Sequence, residues 1–160
     1  MKTFVYKMIQ ILLILLIIAT LIYAFYQSSL PAKESVEQSD KVGEIIEEII
    51  PPDTKPGEYV QKNLRKLAHF TEFFALGLWC TLYVALFFRR ASGFFAALPF
   101  GVICALLDET VQIFSKRGSS VKDIWIDMAG FASAFLIVNS VLLCVLLFKR
   151  ISRARRGCIR

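Results

Sequence analysis

The polar side chains that could do chemistry in this chain fall into three short groups. Residues three or four positions apart share one face of a helix, and each group contains such a pair. Carboxylates beside an imidazole can hold a divalent cation or act as general acid and base. We therefore predict one polar site to which three helices contribute. The groups are His69 with Glu72, then Asp108 with Glu109 and Gln112, and finally Asp123 with Asp127.

Basic residues flank these polar groups. Arg65 and Lys66 precede the first group, and Lys116, Arg117 and Lys122 lie between the second and the third. Guanidinium and ammonium groups are common ligands of phosphate. Arg65, Lys66 and Arg117 are therefore candidates for binding an anionic substrate.

Three interpretations of the polar groups stay open. In the first, they bind a divalent metal or exchange protons in a reaction on a lipid-linked substrate of the outer leaflet. In the second, they bind an anionic headgroup, a cell-wall precursor or a drug without turnover. In the third, they form ion pairs that fix helix ends, although buried ion pairs stabilise little compared with apolar packing. The candidate metal ligands are His69, Glu72, Asp108 and Asp127.

Long apolar segments must position these groups. Of the 160 residues, 56% are hydrophobic, and the mean hydropathy is +0.58. About 20 apolar residues in a helix cross a hydrocarbon layer of about 30 Å. The sequence therefore predicts an all-α integral membrane protein with four transmembrane helices in one bundle. Their predicted ranges are 8–26, 67–88, 94–114 and 124–148.

The distribution of charge predicts the orientation of these helices. One side of the four-span arrangement receives ten basic residues and no acidic residue, which is typical of a cytoplasmic face. Both termini are expected in the cytoplasm, and the polar groups at the extracytoplasmic ends of the last three spans. We expect no nucleic-acid partner, because the cations lie beside apolar segments. The ten residues are Lys2, Lys7, Arg89, Arg90, Lys149, Arg150, Arg153, Arg155, Arg156 and Arg160.

Residues 27–66 are expected to form an extracytoplasmic loop. They include four prolines, eight acidic and six basic residues, and they are too few to form a core of their own. Val42, Ile45, Ile46, Ile49 and Ile50 fall on one face at helical spacing, which predicts a short amphipathic helix that ends before Pro51 and Pro52. Two alternatives stay open for this helix, namely a lid packed over the bundle and a solvated, partly ordered loop.

The chain divides into four parts on this interpretation. An uncleaved transmembrane anchor at 1–26 is followed by the acidic loop at 27–59, a three-helix core at 60–148 and a basic cytoplasmic tail at 149–160. Small residues continue the polar faces of the third and fourth spans, which permits close helix approach. These residues are Ala105, Gly101 and Ala97 below Asp108, and Gly130 and Ala134 below Asp127.

Three ordered motifs make the chain resemble the VanZ-like family. Residues 65–72 read R-K-L-A-H-F-T-E, residues 108–114 read D-E-T-V-Q-I-F, and residues 117–130 contain Arg117, Asp123, Asp127 and Gly130. The family shows R-K-x-x-H-F-x-E, an acidic pair followed by Gln, and a run R…D-x-x-x-D-x-x-G. The resemblance covers residues 60–148, with Phe73 where Tyr is expected and Ala134 where a second Gly is expected.

The resemblance implies a function at the cell envelope. The family is named for a glycopeptide-resistance protein associated with reduced susceptibility to teicoplanin. Membership implies a multi-pass protein of the bacterial cell membrane, surrounded by the lipid bilayer, with a lipid-linked envelope precursor or a glycopeptide as candidate partner. We expect an extracytoplasmic polar site that affects teicoplanin susceptibility or handles such precursors, and the alternative is a membrane enzyme that acts on a phosphate-bearing lipid. The predicted site comprises His69, Glu72, Asp108, Glu109, Gln112, Arg117, Asp123 and Asp127.

Overall fold

The computed structural model describes residues 2–88, 91–115 and 120–157. Within these residues the chain forms five helices and no strand. All of the helices except the second are long and apolar enough to cross a membrane. The predicted all-α fold with four transmembrane helices is therefore confirmed. The helices are α1 (Lys2–Ser29), α2 (Ala32–Glu47), α3 (Lys55–Phe87), α4 (Ala91–Phe114) and α5 (Val121–Gly157).

The outer surface of the membrane helices is apolar. On α1 the side chains of Leu15 and Ile22 are exposed, and on α5 those of Leu143 and Leu147 are exposed. So large an apolar surface is stable only in contact with lipid or another apolar partner. Trp125 is also exposed, at the start of α5, as in the aromatic belts of membrane proteins. The chain is thus a multi-pass membrane protein.

Glycines bring α3 and α5 into close contact. A Cβ atom at Gly77 of α3 would lie 2.6 Å from the carbonyl oxygen of Phe131 in α5, which is closer than atoms can pack. A Cβ atom at Gly130 of α5 would clash in the same way with the carbonyl oxygen of Phe70 in α3. Small residues therefore allow the backbones of these two helices to touch, as is usual between membrane helices.

The core of the bundle surrounds this contact. Phe73 and Leu76 of α3 and Phe131 of α5 are almost fully buried, and the ring of Phe131 packs against Gly101 of α4. The other small residues predicted on the packing faces, Ala97, Ala105 and Ala134, are also buried. The helix faces that carry the polar groups therefore continue inward as the packing faces of the bundle.

Two features outside the core shape the end of the bundle that carries the polar groups. The first is α2, which begins at Ala32, ten residues before Val42, and ends at Glu47, so that Ile49 and Ile50 follow in a turn and a bend. The second is α3. Its N-terminus is capped by the Thr54 hydroxyl, which accepts a hydrogen bond from the Gly57 backbone N–H. With 33 residues, α3 is about 50 Å long, so it extends well beyond the membrane.

Candidate functional site

His69 lies at the centre of a buried polar cluster between α3, α4 and α5. Its Nδ1 atom is 3.9 Å from Glu72 Oε2, 3.8 Å from Asp108 Oδ2 and 3.8 Å from Asp127 Oδ1. These distances suit an ion pair but exceed that of a hydrogen bond. The side chains of Asp108 and Asp127 are fully buried, and those of His69 and Glu72 nearly so. Three helices thus bring an imidazole and three carboxylates together.

A chain of hydrogen bonds fixes the position of Asp108. Its Oδ2 atom accepts hydrogen bonds from Ser28 Oγ at 2.8 Å and from Gln112 Nε2 at 2.9 Å. Gln112 Oε1 in turn accepts one from Arg65 Nη2 at 3.1 Å. Both Ser28 and Gln112 are fully buried. Helices α1, α3 and α4 therefore all take part in orienting this one carboxylate.

The remaining predicted residues lie around this cluster. Glu109 is buried and accepts a hydrogen bond from the Ser120 backbone N–H at 2.9 Å. Asp123 is partly buried, whereas Lys66 and Lys122 are exposed. Arg117 and Lys116 lie outside the described residues. Any contact between Arg117, a predicted site residue, and an acidic residue of the fourth span therefore also lies outside them.

Several buried carboxylate oxygens have no hydrogen-bond donor within the described part of the chain. They are both side-chain oxygens of Asp127, Oδ1 of Asp108 and Oε1 of Glu109. Buried polar atoms are nearly always hydrogen-bonded, because leaving one unsatisfied costs about 1–3 kcal/mol. The cluster therefore contains unused acceptors that point to a ligand, a proton or a cation.

A cavity of about 750 Å³ opens beside the cluster. Its walls come from the end of α1, from α2 and from the first half of α3. Both His69 and Glu72 line it, so it gives access to the polar cluster from one side. Apolar and aromatic side chains form much of the remaining wall, including Tyr26, Val42 and Leu64. This combination is typical of a site for a ligand with both an apolar and a polar part.

Sequence reasoning missed several contributors to the site, among them Ser28 and Lys41. Ser28 donates a hydrogen bond to Asp108, and Lys41 of α2 lines the cavity. The only available signal for Ser28 was a small hydroxyl at the end of the first apolar segment, and its partner lies 80 residues away. Lys41 would have required a helix longer than the apolar spacing indicates.

The arrangement defines a class of protein, namely a multi-pass helical membrane protein with a histidine–carboxylate cluster at one end of its bundle. The family described as VanZ/LLP1 matches residues 12–148, which is most of the chain, and the chain belongs to this family. The match begins within α1, so it includes the first span and the loop after it, where the sequence motifs gave no support. No curated protein and no solved structure matches the chain.

Proposed function

We propose that this protein binds the polar head of an anionic lipid or lipid-linked envelope precursor at the extracytoplasmic face of a bacterial cell membrane. Binding of this kind would change how such precursors are handled, and with it the susceptibility of the cell to teicoplanin. The observation that carries the proposal is the cavity of about 750 Å³ whose wall includes His69 and Glu72.

The position of the cavity supports a ligand taken from the membrane. Tyr23 and Tyr26, near the end of α1, line it together with Leu67 of α3. Tyrosines at the ends of membrane helices usually lie at the level of the lipid headgroups. A lipid could thus place its headgroup in the cavity while its tail stays among the exposed apolar side chains of the bundle. A volume of this size lies within the range of small-molecule sites.

The charges around the cavity support an anionic headgroup. Arg65 and Lys41 both line it, and a guanidinium binds phosphate oxygens through two parallel hydrogen bonds. Arg65 also donates to Gln112, which bonds Asp108. A phosphate bound at Arg65 would therefore be linked to the buried cluster through Gln112. This link gives the lipid a means of affecting the protein core.

Native mass spectrometry of the detergent-solubilised full chain tests the proposal. Retention of a polyprenyl phosphate is expected for the wild type, and retention of a neutral diacylglycerol is not. Ala68→Trp would fill the cavity, since Ala68 lines it, and should abolish retention. The control Ala129→Trp adds the same bulk at an exposed position of α5 and should retain the lipid. Equal retention by both tryptophan variants, or none by the wild type, would contradict the proposal.

A matched pair of variants tests the role of Arg65. Arg65→Gln should weaken retention of polyprenyl phosphate by about tenfold, as expected when one charge-assisted contact is lost. Lys62→Gln removes an exposed cation of the same helix that does not line the cavity, and it should have little effect. Equal losses in both variants would indicate attraction by net charge and would exclude a specific headgroup contact at Arg65.

A membrane enzyme acting on the same phosphate-bearing lipid is the second candidate function. Both oxygens of Asp127 and Oδ1 of Asp108, which lack donors among the described residues, favour it because they lie beside His69, and general acid–base catalysis needs such groups close together. Mass spectrometry of polyprenyl phosphate and phosphatidylglycerol after incubation with the protein separates the candidates. New lipid species that are absent with Asp127→Asn would identify an enzyme, whereas unchanged lipids that remain bound would identify a binding protein.

A further inference from the structure

We propose that His69, Asp108 and Asp127 bind one divalent transition-metal ion, zinc or manganese, between α3, α4 and α5. This inference concerns the cluster next to the cavity and does not depend on lipid binding, because a metal can be measured on the protein alone.

The geometry of the three residues fits a metal site. One ligand atom from each residue lies within 4.8 Å of the other two. The Nδ1 atom of His69 is 3.8 Å from a carboxylate oxygen of each aspartate. Ligands about 2.1 Å from a tetrahedral zinc ion are roughly 3.4 Å apart. A closure of a few tenths of an ångström between His69 Nδ1 and each aspartate oxygen, within the reach of side-chain rotation, would bring these pairs to that spacing.

The unused acceptors of Asp127 point independently to a cation. This side chain is fully buried, yet neither of its oxygens has a hydrogen-bond donor within residues 2–88, 91–115 and 120–157. Asp108 is fully buried as well, and within the same residues its Oδ1 atom also lacks a hydrogen-bond donor. An acidic cluster of this kind is stable when a cation occupies the space between its oxygens.

The charge balance favours a divalent ion. In the described part of the chain no lysine or arginine lies within ion-pair distance of Asp108 or Asp127. Two buried carboxylates carry a charge of about −2 when ionised, and a metal dication with a neutral imidazole neutralises them. A protonated His69 would neutralise only one of them.

The surroundings of the cluster resemble the outer shell of known metal sites. Metal-binding carboxylates are usually held by further hydrogen bonds, which fix their orientation. Asp108 is held in this way by Ser28 and Gln112. Both donors bond the same oxygen, Oδ2, and the other oxygen, Oδ1, has no donor in the described part of the chain. Since His69 and Glu72 also line the cavity, a further ligand could reach a metal held here from the cavity side.

The ligand types select the metal. One imidazole with carboxylates is a common donor set for zinc and is also suitable for manganese. Calcium takes six to eight oxygens, and magnesium keeps several waters in an octahedral shell. A buried cluster with one nitrogen and few oxygens fits neither of these ions. The ligands of this cluster therefore fit a transition metal.

Metal analysis of the full chain tests the site. The protein is purified in detergent, equilibrated with zinc or manganese, washed, and measured by inductively coupled plasma mass spectrometry. About one ion per chain is expected for the wild type. Asp127→Asn and His69→Gln should each weaken binding by at least about tenfold. Glu58→Gln is the control and should bind the ion as tightly as the wild type, because it removes an exposed carboxylate of α3, the helix of His69, that lies outside the cluster and the cavity.

The absorption spectrum of cobalt bound to the wild type tests the site without any variant. Cobalt(II) in a site with histidine and carboxylate ligands should show visible absorption that zinc abolishes by competition. Absence of a stoichiometric ion from the folded wild type would overturn the inference. So would a bound ion that the Asp127→Asn and His69→Gln variants retain as tightly as the Glu58→Gln control. If either variant fails to fold, the cobalt spectrum of the wild type decides the outcome.

Discussion

Asp127 is the residue whose situation most needs an explanation. Its side chain is fully buried near the end of a membrane helix, and both oxygens lack a donor among the described residues. Ionisable side chains in membrane helices are costly and usually face the bundle interior, where they serve transport or binding. An aspartate retained only for stability would be expected to have hydrogen-bond donors. The residue therefore fits a site that is completed by something other than the protein.

Asp108 presents the opposite case, because its Oδ2 atom has two donors. We predict that Ser28→Ala, which removes one donor, lowers the free energy of unfolding by about 1.5–3 kcal/mol, the usual effect of losing a hydrogen bond to a charged group. Thermal melting in detergent would measure this loss. Ser29→Ala is the control, since among the described residues the Ser29 hydroxyl bonds only the Tyr26 carbonyl of its own helix, and it should change stability by less than about 0.5 kcal/mol. Equal stability of the two variants would contradict the role given to Ser28.

Residue spacing predicted some of the contacts in this site and could not predict others. Asp108 and Gln112 share a helix face by their spacing, and they are hydrogen-bonded to each other. The distances from His69 to two other helices follow from burial, because polar side chains in spans turn toward one another. Ser28 could not be predicted, since a single serine carries no pattern and its partner lies on another helix.

At the scale of elements, the α3–α5 pair determines where the cluster can form. Gly130 contacts the backbone at Phe70, next to His69, and Asp127 lies one turn earlier on the same helix. The approach of the two backbones thus sets the distance between His69 and Asp127. Any increase in that separation would open the cluster.

We predict that Gly130→Ala lowers the free energy of unfolding by about 1–3 kcal/mol, because the added Cβ meets the Phe70 carbonyl oxygen and overpacks the interface. Thermal melting in detergent would measure it. Gly43→Ala in α2 is the matched control, since its Cβ would meet only the flexible end of Gln61. Replacing a helical glycine by alanine without a clash raises the free energy of unfolding by up to about 1 kcal/mol. Equal or higher stability of Gly130→Ala would show that the helices can separate without cost.

The helix α2 illustrates what apolar spacing leaves undetermined. Only Val42 and the isoleucines after it showed a helical pattern, whereas the helix begins at Ala32. The first turns of α2 are mostly polar, so they contain no apolar spacing from which a helix could be predicted. Gln61 of α3 contacts this helix by donating to Glu47 Oε1 at 2.7 Å. In the structure Val42 and Ile46 line the cavity, so α2 forms one wall of the site, although Val42, like Ile45 and Ile49, is exposed.

At the scale of the whole molecule, the orientation in the membrane remains a prediction. An even number of spans places both termini on one side, and the positive-inside rule makes that side the cytoplasm. The cluster and the cavity would then face the outside of the cell.

Cysteine labelling tests this orientation. In a variant whose native cysteines are replaced by alanine, Asp53→Cys creates a thiol at an exposed position between α2 and α3. A membrane-impermeant maleimide should label it in intact cells. A variant that keeps only Cys158, in the C-terminal tail, should be labelled only after lysis. The reverse pattern would place the polar site on the cytoplasmic side.

Asp127→Asn distinguishes a buried cluster that serves binding from one that only braces the bundle. Teicoplanin susceptibility is measured in cells that contain equal amounts of wild type, Asp127→Asn and the control Glu58→Gln, with thermal melting of each protein in chelator. Because Asp127 has no donor among the described residues, neutralising it should leave the melting temperature unchanged or higher while the effect on susceptibility disappears. A folded Asp127→Asn variant with the wild-type effect, or one whose effect falls only in proportion to lost stability, would contradict a binding role for the cluster.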